Sequence, residues 1–409
     1  PFPSSPRGAG PIWSAALLIP VALLAQAFPM LLTGRSRRHL AARLSRAIHY
    51  EYWPAFLFYL PLAPYITWLS IKHRGVMVVT CCNPAIENGG GLVGESKSTI
   101  MTALGDNPFT LRTVLIPGGM PAAQRARLVS DAMRREPALA TFPIIIKPDA
   151  GQRGFGVKLA RSDEDVVEYF ESMTSPALIQ PFHPGPHECS ILWVRRPQAV
   201  GALPANGSHA GFLYSITSKE FPVLTGDGLH TLEDLIYRHP RFRRQAHVFL
   251  NRHAHRAAWS PARGEQVHLA VAGNHCQGTL FRDGSDLVTP QLTATVDRLA
   301  RAYRNGDPQG DEGLDYARFD VRFESVAGFT SGTEFSIVEL NGTTGESTNL
   351  YDPAKSLLWA YKVLFGQWRI LFELGAARRA AGTRPMTMAG VVGVIRAHYQ
   401  QRRGSELSD

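Results

Sequence analysis

Residues 142–160 read FPIIIKPDAGQRGFGVKLA, and this stretch decides the fold. The apolar run before Lys147 predicts a buried strand. The last residues of the stretch, GVKLA, predict a second strand that returns alongside it. The glycines Gly151, Gly154 and Gly156 predict the loop between them. A P-loop or a dinucleotide-binding fingerprint would continue from its glycines into a helix, and this loop does not. The pattern predicts a flap over phosphates, with backbone N–H donors and the Lys147 ammonium; a plain glycine-rich loop is the alternative.

A second pair of strands is predicted in residues 177–194, ALIQPFHPGPHECSILWV, where proline and glycine break the apolar pattern. Gln180 and Phe182 lie at the start of this break. The break predicts a hinge whose backbone N–H and C=O groups would contact the edge of an adenine. Glu188, just after the hinge, would accept hydrogen bonds from ribose hydroxyls. A simple hairpin with an exposed Glu188 is the alternative interpretation.

A third pair of strands predicts a metal site. It consists of RFDVRF at 318–323 and FSIVELNGTTGESTNL at 335–350. Glu339 and Asn341 are two residues apart, so both side chains project from one face of a strand. Asp320 on the neighbouring strand would complete a set of oxygen ligands of the kind that Mg²⁺ prefers. A carboxylate and an amide on a buried strand are costly without a cation or partner.

Composition limits the classes of function. The 409 residues are 44% hydrophobic, which is enough for two or three domains with buried cores. The chain has 43 Lys and Arg against 34 Asp and Glu, and its net charge of +9 favours nucleotide phosphates or an anionic membrane surface as partners. We predict no nucleic-acid binding, because no known motif and no basic sheet with interleaved aromatic residues is present. Four cysteines without zinc spacing or scaffold density indicate a reducing cytoplasm.

Two further features are predicted to be structural. Cys81 and Cys82 close the apolar run VMVVTCC and are expected as small buried strand residues. The basic stretch 238–256 predicts a helix plus a loop, with His253 and His255 at the surface. A solvated helix face is its simplest interpretation, and recruitment of an acidic substrate or anionic lipid is the alternative.

The N-terminal region differs from that of a typical soluble enzyme. Residues 11–33 carry no charge and are long enough to cross a bilayer, although two prolines weaken a straight helix. The basic residues 34–46 that follow suit the cytoplasmic side of a membrane. Residues 52–71 are aromatic-rich and contain three prolines, which favours an interfacial location. The alternative is that both apolar segments pack on a soluble domain or on the partner subunit of a homodimer.

In this order and at these spacings, the motifs resemble the ATP-grasp superfamily, and most of all the D-alanine–D-alanine ligases. The resemblance runs from about Val93 to Tyr351. GESKSTIMTALG places Lys97 fifty residues before Lys147, as in the ligases, which implies that both lysines hold ATP phosphates. GPHECSIL is similar to the family's Gly-Pro-Glu-Phe-Thr-Val, with His187 inserted, and this implies the ribose contact of Glu188.

Two later motifs complete the resemblance. ARFDVRF is similar to the family's Gly-Arg-Ile-Asp-Val, and this implies that Arg318 steadies the transferring phosphoryl group while Asp320 binds metal. ELNGTTGESTNL is similar to Glu-Ala-Asn-Thr-x-Pro-Gly, with Thr344 in place of the proline. This implies that Glu339 and Asn341 bind metal, and that the acceptor-binding residues are Gly345, Asn349 and Leu350.

A shorter resemblance to cyanophycin synthetase lies in ITSKEFPVLTGDGLHTLEDLI, residues 216–236. It implies that Lys219 is a third nucleotide-binding lysine. The N-terminal domain of the D-alanine ligases, which helps to bind their first substrate, has no clear counterpart in residues 1–75.

The resemblance implies an α/β (α+β) chain with the ATP-grasp fold, in which two α+β subdomains clasp ATP. The expected segments are an apolar and basic helical N-terminal segment at 1–75, a remnant pre-ATP-grasp and linker region at 76–140, a small subdomain with the glycine loop at 141–185, a large subdomain with the metal site at 186–375, and a C-terminal helix and tail at 376–409.

The implied activity is that of an ATP-dependent ligase that forms a C–N bond from a small-molecule carboxylate and an amine, with ATP and two Mg²⁺ ions. An ATP-grasp kinase acting on a small alcohol and a membrane-attached nucleotide-binding module are the alternatives. The expected location is the bacterial cytoplasm, at the inner face of the cell membrane. A lipid-linked substrate would suit that location.

Overall fold

The computed structural model describes residues 34–151, 156–201, 209–270, 273–304 and 313–403. The predictions for Gly154 and for residues 11–33 fall outside these ranges. Of the helices that are described, none is both long and apolar enough to span a membrane.

The strands of the described residues pair in three antiparallel sheets. They are β1 (Val114–Ile116), β2 (Ile144–Pro148), β3 (Lys158–Ala160), β4 (Ala177–Pro181), β5 (His187–Arg195), β6 (Gly211–Glu220), β7 (Val223–Thr225), β8 (Gln266–His268), β9 (Leu280–Asp283), β10 (Tyr316–Phe323) and β11 (Ser336–Asn341).

The described residues also form α-helices, so the predicted mixture of helices and strands is confirmed. They are α1 (Gly34–Ala47), α2 (Ala55–Tyr59), α3 (Leu62–Lys72), α4 (Glu87–Gly91), α5 (Lys97–Ala103), α6 (Ala122–Arg135), α7 (Asp163–Ser172), α8 (Leu232–Arg238), α9 (Ala246–Arg252), α10 (Pro290–Ala302), α11 (Val326–Thr330), α12 (Leu357–Ala380) and α13 (Met388–Arg403).

The four-stranded sheet has the order β1-β4-β2-β3 and contains the predicted flap strands. β2 and β3 pair antiparallel across the glycine loop, with Ile146 opposite Lys158. Ile144, Ile146 and Ile179 are fully buried in a core that includes side chains of α6 and α7. Because β1 also pairs with β4, this sheet begins before the predicted boundary at residue 141.

The five-stranded sheet has the order β11-β10-β5-β6-β9 and has an apolar core on either face. Alternate residues of β5 divide between the two cores, since Ile191 and Trp193 belong to the cluster that includes α10. Leu192 and Val194 belong to the cluster that includes α12. A strand buried on both faces reads as a continuous apolar run, as SILWV does here.

The chain crosses from one sheet to the other between β4 and β5. These strands lie in different sheets and do not pair, so the alternative of a simple hairpin at residues 177–194 is wrong. The Pro- and Gly-rich break at residues 182–186 is the connection between the two sheets.

The first apolar run after residue 75 is not a strand. Val76–Cys81 forms a 3₁₀ helix, although Cys81 and Cys82 are fully buried as predicted. This segment packs on α12, where a Cβ at Gly375 would lie 2.2 Å from the Val78 carbonyl oxygen. A short apolar run looks alike in a buried strand and a buried helical turn, so periodicity could not separate the two.

A separate compact unit contains the described residues 34–55 together with Pro222–Leu269. Its first part belongs to the predicted segment 1–75 and its second part to the predicted segment 186–375, and the unit contains α1, α8, α9 and the β7–β8 pair. Its basic stretch is helical and loop-like, as predicted. His253, however, is buried and its Nε2 lies 3.3 Å from the Leu269 carbonyl oxygen, so the surface prediction was wrong. Burial lowers the pKa of His253, while His255 is exposed.

Candidate active site

One face of the five-stranded sheet carries a row of polar side chains near the crossover. The register places Asp320 opposite both Glu339 of β11 and Ser190 of β5, and it places Glu188 opposite Lys219 of β6. The intervening residues of β10, such as Phe319 and Val321, are buried in the apolar core. Because side chains alternate between the two faces of a strand, Arg318, Asp320 and Arg322 project from the same face of β10.

Lys219 lies between two carboxylates. Its Nζ is 2.9 Å from Glu188 Oε1 and 3.2 Å from Asp320 Oδ1, and the Ser190 hydroxyl also donates to Asp320 Oδ1. Burial alone would lower the pKa of Lys219, but the charges of Asp320 and Glu188 outweigh it and raise the pKa. Burial would raise the pKa of Asp320, but Arg318 and Lys219 hold it below its usual range. Lys219 and Asp320 are therefore charged at neutral pH.

Lys97 approaches the same row from α5. Ser96 caps this helix by accepting the Thr99 N–H, and Lys97 Nζ lies 2.9 Å from Glu339 Oε1. The Asp149 carboxylate accepts the Ser98 N–H at 2.8 Å, which ties the start of α5 to the residues before the glycine loop. Burial would lower the pKa of Lys97, but Glu339 outweighs it and raises the pKa.

Lys147 reaches the row from β2, although that strand belongs to the other sheet. Its Nζ donates to the Val338 carbonyl oxygen at 2.9 Å. Burial lowers the pKa of Lys147 to about 8, because the attraction of Glu339 only partly offsets the loss of hydration. Two lysines that are fifty residues apart thus contact the same strand, β11.

Arg318 projects between the carboxylates and the 345–350 loop. Its Nη2 is 3.4 Å from Asp320 Oδ2, and its Nη1 donates to the Glu346 carbonyl oxygen at 3.4 Å. A Cβ at Gly345 would lie 2.9 Å from Arg318 Cβ, so only glycine allows the loop to approach this closely.

We define the site cluster as five cationic and three anionic side chains of the described residues that lie along these strands. Because the cations outnumber the anions, the cluster suits a ligand with several negative charges, such as a polyphosphate. Its members are Lys97, Lys147, Lys219, Arg318, Arg322, Glu188, Asp320 and Glu339.

The oxygen donors beside this cluster fit a divalent cation. Asp320 and Glu339 face each other across β10 and β11, and Asn341 is the next residue on the same face of β11. The buried Nδ2 atom of Asn341 has no hydrogen-bond partner among the described residues. The described residues contain no metal-binding group made of three His, Cys, Asp or Glu side chains. Here the third oxygen donor is an amide.

Most of the residues predicted for the hinge and for acceptor binding contact other parts of the protein instead of the site cluster. The Gln180 side chain donates to Thr113 Oγ1 at 2.8 Å, and the Phe182 N–H donates to the Pro143 carbonyl oxygen at 3.4 Å. Asn349 is buried and donates to Asp283 at 2.8 Å, and Leu350 is fully buried. Of the three predicted acceptor residues, only Gly345 therefore reaches the site cluster.

Sequence reasoning missed two members of the site. Arg322 lies 3.7 Å from Glu188 Oε2 and stands over the Phe182 ring at 5.5 Å, which joins the sheet to the hinge. The two-residue period of RFDVRF could have revealed it. Ser190 offered no comparable signal, because its bond to Asp320 joins residues 130 positions apart.

No protein-family model and no curated sequence matches the chain. Among solved structures it is similar to a bifunctional glutathione synthetase from Pasteurella multocida, with 14% identity over 66% of this chain and a TM-score of 0.33. It is also similar to a D-alanine–D-alanine ligase from Bacillus anthracis, with 13% identity over 70% of this chain and a TM-score of 0.36. A third match is the VanG D-Ala:D-Ser ligase from Enterococcus faecalis, with 12% identity over 66% of this chain and a TM-score of 0.31.

These matches cover unequal shares of the other proteins. The chain spans 35% of the bifunctional glutathione synthetase, 69% of the D-alanine–D-alanine ligase and 59% of the VanG ligase.

Proposed function

We propose that this protein is an ATP-dependent ligase that joins a carboxylate to an amine through an acyl phosphate. The observation that carries the proposal is the site cluster, in which Lys97, Lys147 and Arg318 converge on the paired carboxylates Asp320 and Glu339. The three cations come from three distant parts of the chain. A structural ion-pair network would not need this excess of positive charge.

The chemistry requires little covalent participation by the protein. A carboxylate oxygen of the substrate attacks the γ-phosphorus of ATP, the bond to ADP breaks, and a mixed anhydride forms. The amine then attacks the acyl carbon, loses a proton, and phosphate departs with the bonding electron pair. Phosphoryl transfer of this kind depends on positioning and charge neutralisation, and Lys97, Lys147 and Arg318 would supply both.

Asp320, Glu339 and Asn341 are the residues that would hold Mg²⁺, and the resemblance implies two ions. Bound magnesium would neutralise phosphate charge at the site. Two of these residues also contact the cations of the site cluster, since Glu339 pairs with Lys97 and Asp320 pairs with Lys219 and Arg318.

The flap residues support the same proposal. Gly156 has a φ of 65°, and a Cβ there would lie 2.9 Å from both Met173 Cε and Pro148 Cγ. The returning end of the loop therefore needs glycine for its backbone conformation and for its packing. Gly151 is at the other end. The glycine loop that the sequence predicts would exclude water from an acyl phosphate, which water would otherwise hydrolyse.

The test is Mg²⁺-dependent release of ADP and phosphate by the purified protein, with amino acids, hydroxy acids, fatty acids and amines supplied singly and in pairs. We expect release only when a carboxylate and an amine are both present. Release with a single alcohol, together with a phosphorylated product, would instead identify a kinase. Tight ATP binding without turnover for any pair, including lipid-linked substrates, would contradict the ligase proposal.

The low pKa of Lys147 predicts how nucleotide affinity changes with pH. Only the ammonium form attracts phosphate, so affinity is greatest below about pH 8 and falls above it, by up to about tenfold per pH unit. ATP phosphates, with a second pKa of about 6, remain fully ionised in this window. The measurement is the Kd of a non-hydrolysable ATP analogue between pH 7 and pH 10.

A matched variant isolates this titration. Lys147→Arg keeps its charge over the whole range, so the fall in affinity should disappear. Lys97 should not contribute, because its pKa is raised. A Kd of the wild-type protein that stays constant to pH 10 would contradict the assignment of Lys147 to phosphate binding.

We further propose that the protein works at the cytoplasmic face of an anionic membrane. Phe56, Leu60 and Ile71 are 78%, 64% and 74% exposed, and Lys72 lies over the half-exposed Trp68 ring at 5.1 Å. Exposed apolar and aromatic side chains beside a basic residue are typical of interfacial segments.

Vesicle sedimentation tests the membrane proposal. We expect binding to vesicles of phosphatidylglycerol and phosphatidylcholine, and at least tenfold weaker binding when Phe56, Leu60 and Ile71 are all changed to Ser. Leu115→Ser is the control and should have no effect, because Leu115 is 45% exposed but lies on β1 of the four-stranded sheet. Equal binding by the triple variant would exclude this surface.

A further inference from the structure

A cavity of about 230 Å³ opens beside Arg318. Gly345 and Glu346 line it, and the same two residues contact Arg318 through close packing and through a hydrogen bond from Nη1 to the Glu346 carbonyl oxygen. The cavity therefore adjoins the guanidinium group that would steady the acyl phosphate. Most of its wall is apolar and includes Val79, Leu92, Trp368 and Leu371.

Glu346 is the only charged side chain among the described residues that line this cavity. The Tyr59 hydroxyl donates to its Oε1 at 2.7 Å, and the Tyr351 hydroxyl donates to its Oε2 at 3.1 Å. The Glu346 carboxylate thus accepts a hydrogen bond from each tyrosine. Burial, together with the negative charge of Glu346, raises the pKa of Tyr351, so this hydroxyl remains a donor at any physiological pH.

A fixed carboxylate in an apolar wall selects by charge. The half-buried Glu346 carboxylate would repel the carboxylate of an acyl donor and would attract an ammonium group, because opposite charges at short distance stabilise each other. Of the two substrates of a ligase, the amine is therefore the one that suits this cavity.

The volume selects by size. A cavity of about 150 Å³ lined by apolar side chains holds a benzene ring, so 230 Å³ holds a larger hydrocarbon group. A methyl group would leave most of the apolar wall without contacts, and these lost contacts would weaken binding. Alanine is accordingly a poor fit.

We propose that this cavity binds the amine co-substrate, and that the co-substrate is a primary amine with a large branched or aromatic apolar group. The inference rests on the proposed ligase function, and it names the class of amine. Selectivity then comes from Tyr59, Glu346 and Trp368. Leu350 of the predicted acceptor loop is fully buried and does not line the cavity.

Calorimetric titration of the full chain, with Mg²⁺ and a non-hydrolysable ATP analogue present, tests the inference. The probes are phenethylamine, isopentylamine, ethylamine and 3-phenylpropionate. We expect the two larger amines to bind at least tenfold more tightly than ethylamine. 3-Phenylpropionate, which matches phenethylamine in shape but carries the opposite charge, should not bind.

Two variants locate the site. Glu346→Gln should weaken phenethylamine binding at least tenfold, whereas Glu373→Gln on α12, outside the cavity, should not change it. Leu92→Trp fills the cavity from a half-buried position and should exclude phenethylamine even if Glu346→Gln fails to fold. Circular dichroism of each variant checks that it is folded.

The possible outcomes distinguish a failure of the cavity assignment from a failure of the proposed ligase function. Tight binding of the ATP analogue with no preference for large amines, or with Glu346→Gln and Leu92→Trp both ineffective, would overturn the cavity assignment and leave the ligase proposal standing. Failure to bind the ATP analogue at all would overturn both.

Discussion

We expect Lys147→Ala to abolish ATP turnover, with a loss of about 10³-fold or more in the rate of ADP release. The ammonium group lies where β2 of one sheet meets β11 of the other, and it donates to the Val338 carbonyl oxygen. Without it, the site cluster loses a cation that is already stripped of water and therefore interacts strongly with phosphate.

The fold should survive this change. Burial holds the pKa of Lys147 at about 8, so the charged side chain is less favourable in the folded protein than in water. Removing it should shift the thermal midpoint by only a few degrees. Lys158→Ala is the control, because that lysine lies on β3 and pairs with Glu168 at the surface. Turnover that persists in Lys147→Ala would refute the phosphate-binding role.

We expect Arg318→Lys to lower kcat by about 10²- to 10³-fold while changing the Kd of the ATP analogue far less. Arginine spans two partners here, since Nη2 faces Asp320 and Nη1 donates to the Glu346 carbonyl oxygen. Lysine keeps the charge but has no planar fork, so it cannot hold both contacts. The interaction that is lost would belong mainly to the transition state, which is why kcat changes more than binding.

The split between kcat and Kd distinguishes this role from a structural one. Arg298→Lys, at an exposed position of α10, is the matched control and should leave both constants unchanged. An unchanged kcat in Arg318→Lys would remove Arg318 from the chemistry. A large rise in Kd at constant kcat would assign it to ground-state nucleotide binding.

Local patterns predicted the elements that carry the site. FPIIIKP and GVKLA form two paired strands, and RFDVRF and SIVELN form two more, since their alternation suits a pleated sheet. The break between β4 and β5 was predicted as well, because proline and glycine interrupt the apolar pattern at residues 182–186.

Other features could not be predicted from neighbouring residues. His253 lies in a basic stretch typical of a solvated helix face, yet it is buried against the Leu269 carbonyl oxygen. Val76–Cys81 has the composition of a strand but packs as a 3₁₀ helix on α12. In both cases a contact distant in sequence decided the outcome.

The sequence by itself determined which residue types could bind phosphate and metal. Lys147 follows from its place between an apolar run and a glycine loop. Asp320, Glu339 and Asn341 follow from period-two strands and from the cost of burying polar groups without partners. These rules act over a few residues, so they can be applied without a fold.

Only the tertiary structure decided which of these groups meet. The register of β10 with β5 and β11 places Asp320 beside Ser190 and Glu339, and the crossover to a second sheet leaves Lys147 facing β11. The cavity between Tyr59 and Glu346 joins residues 287 positions apart. Distances of a few ångströms between such residues depend on packing of the whole core, which no local pattern contains.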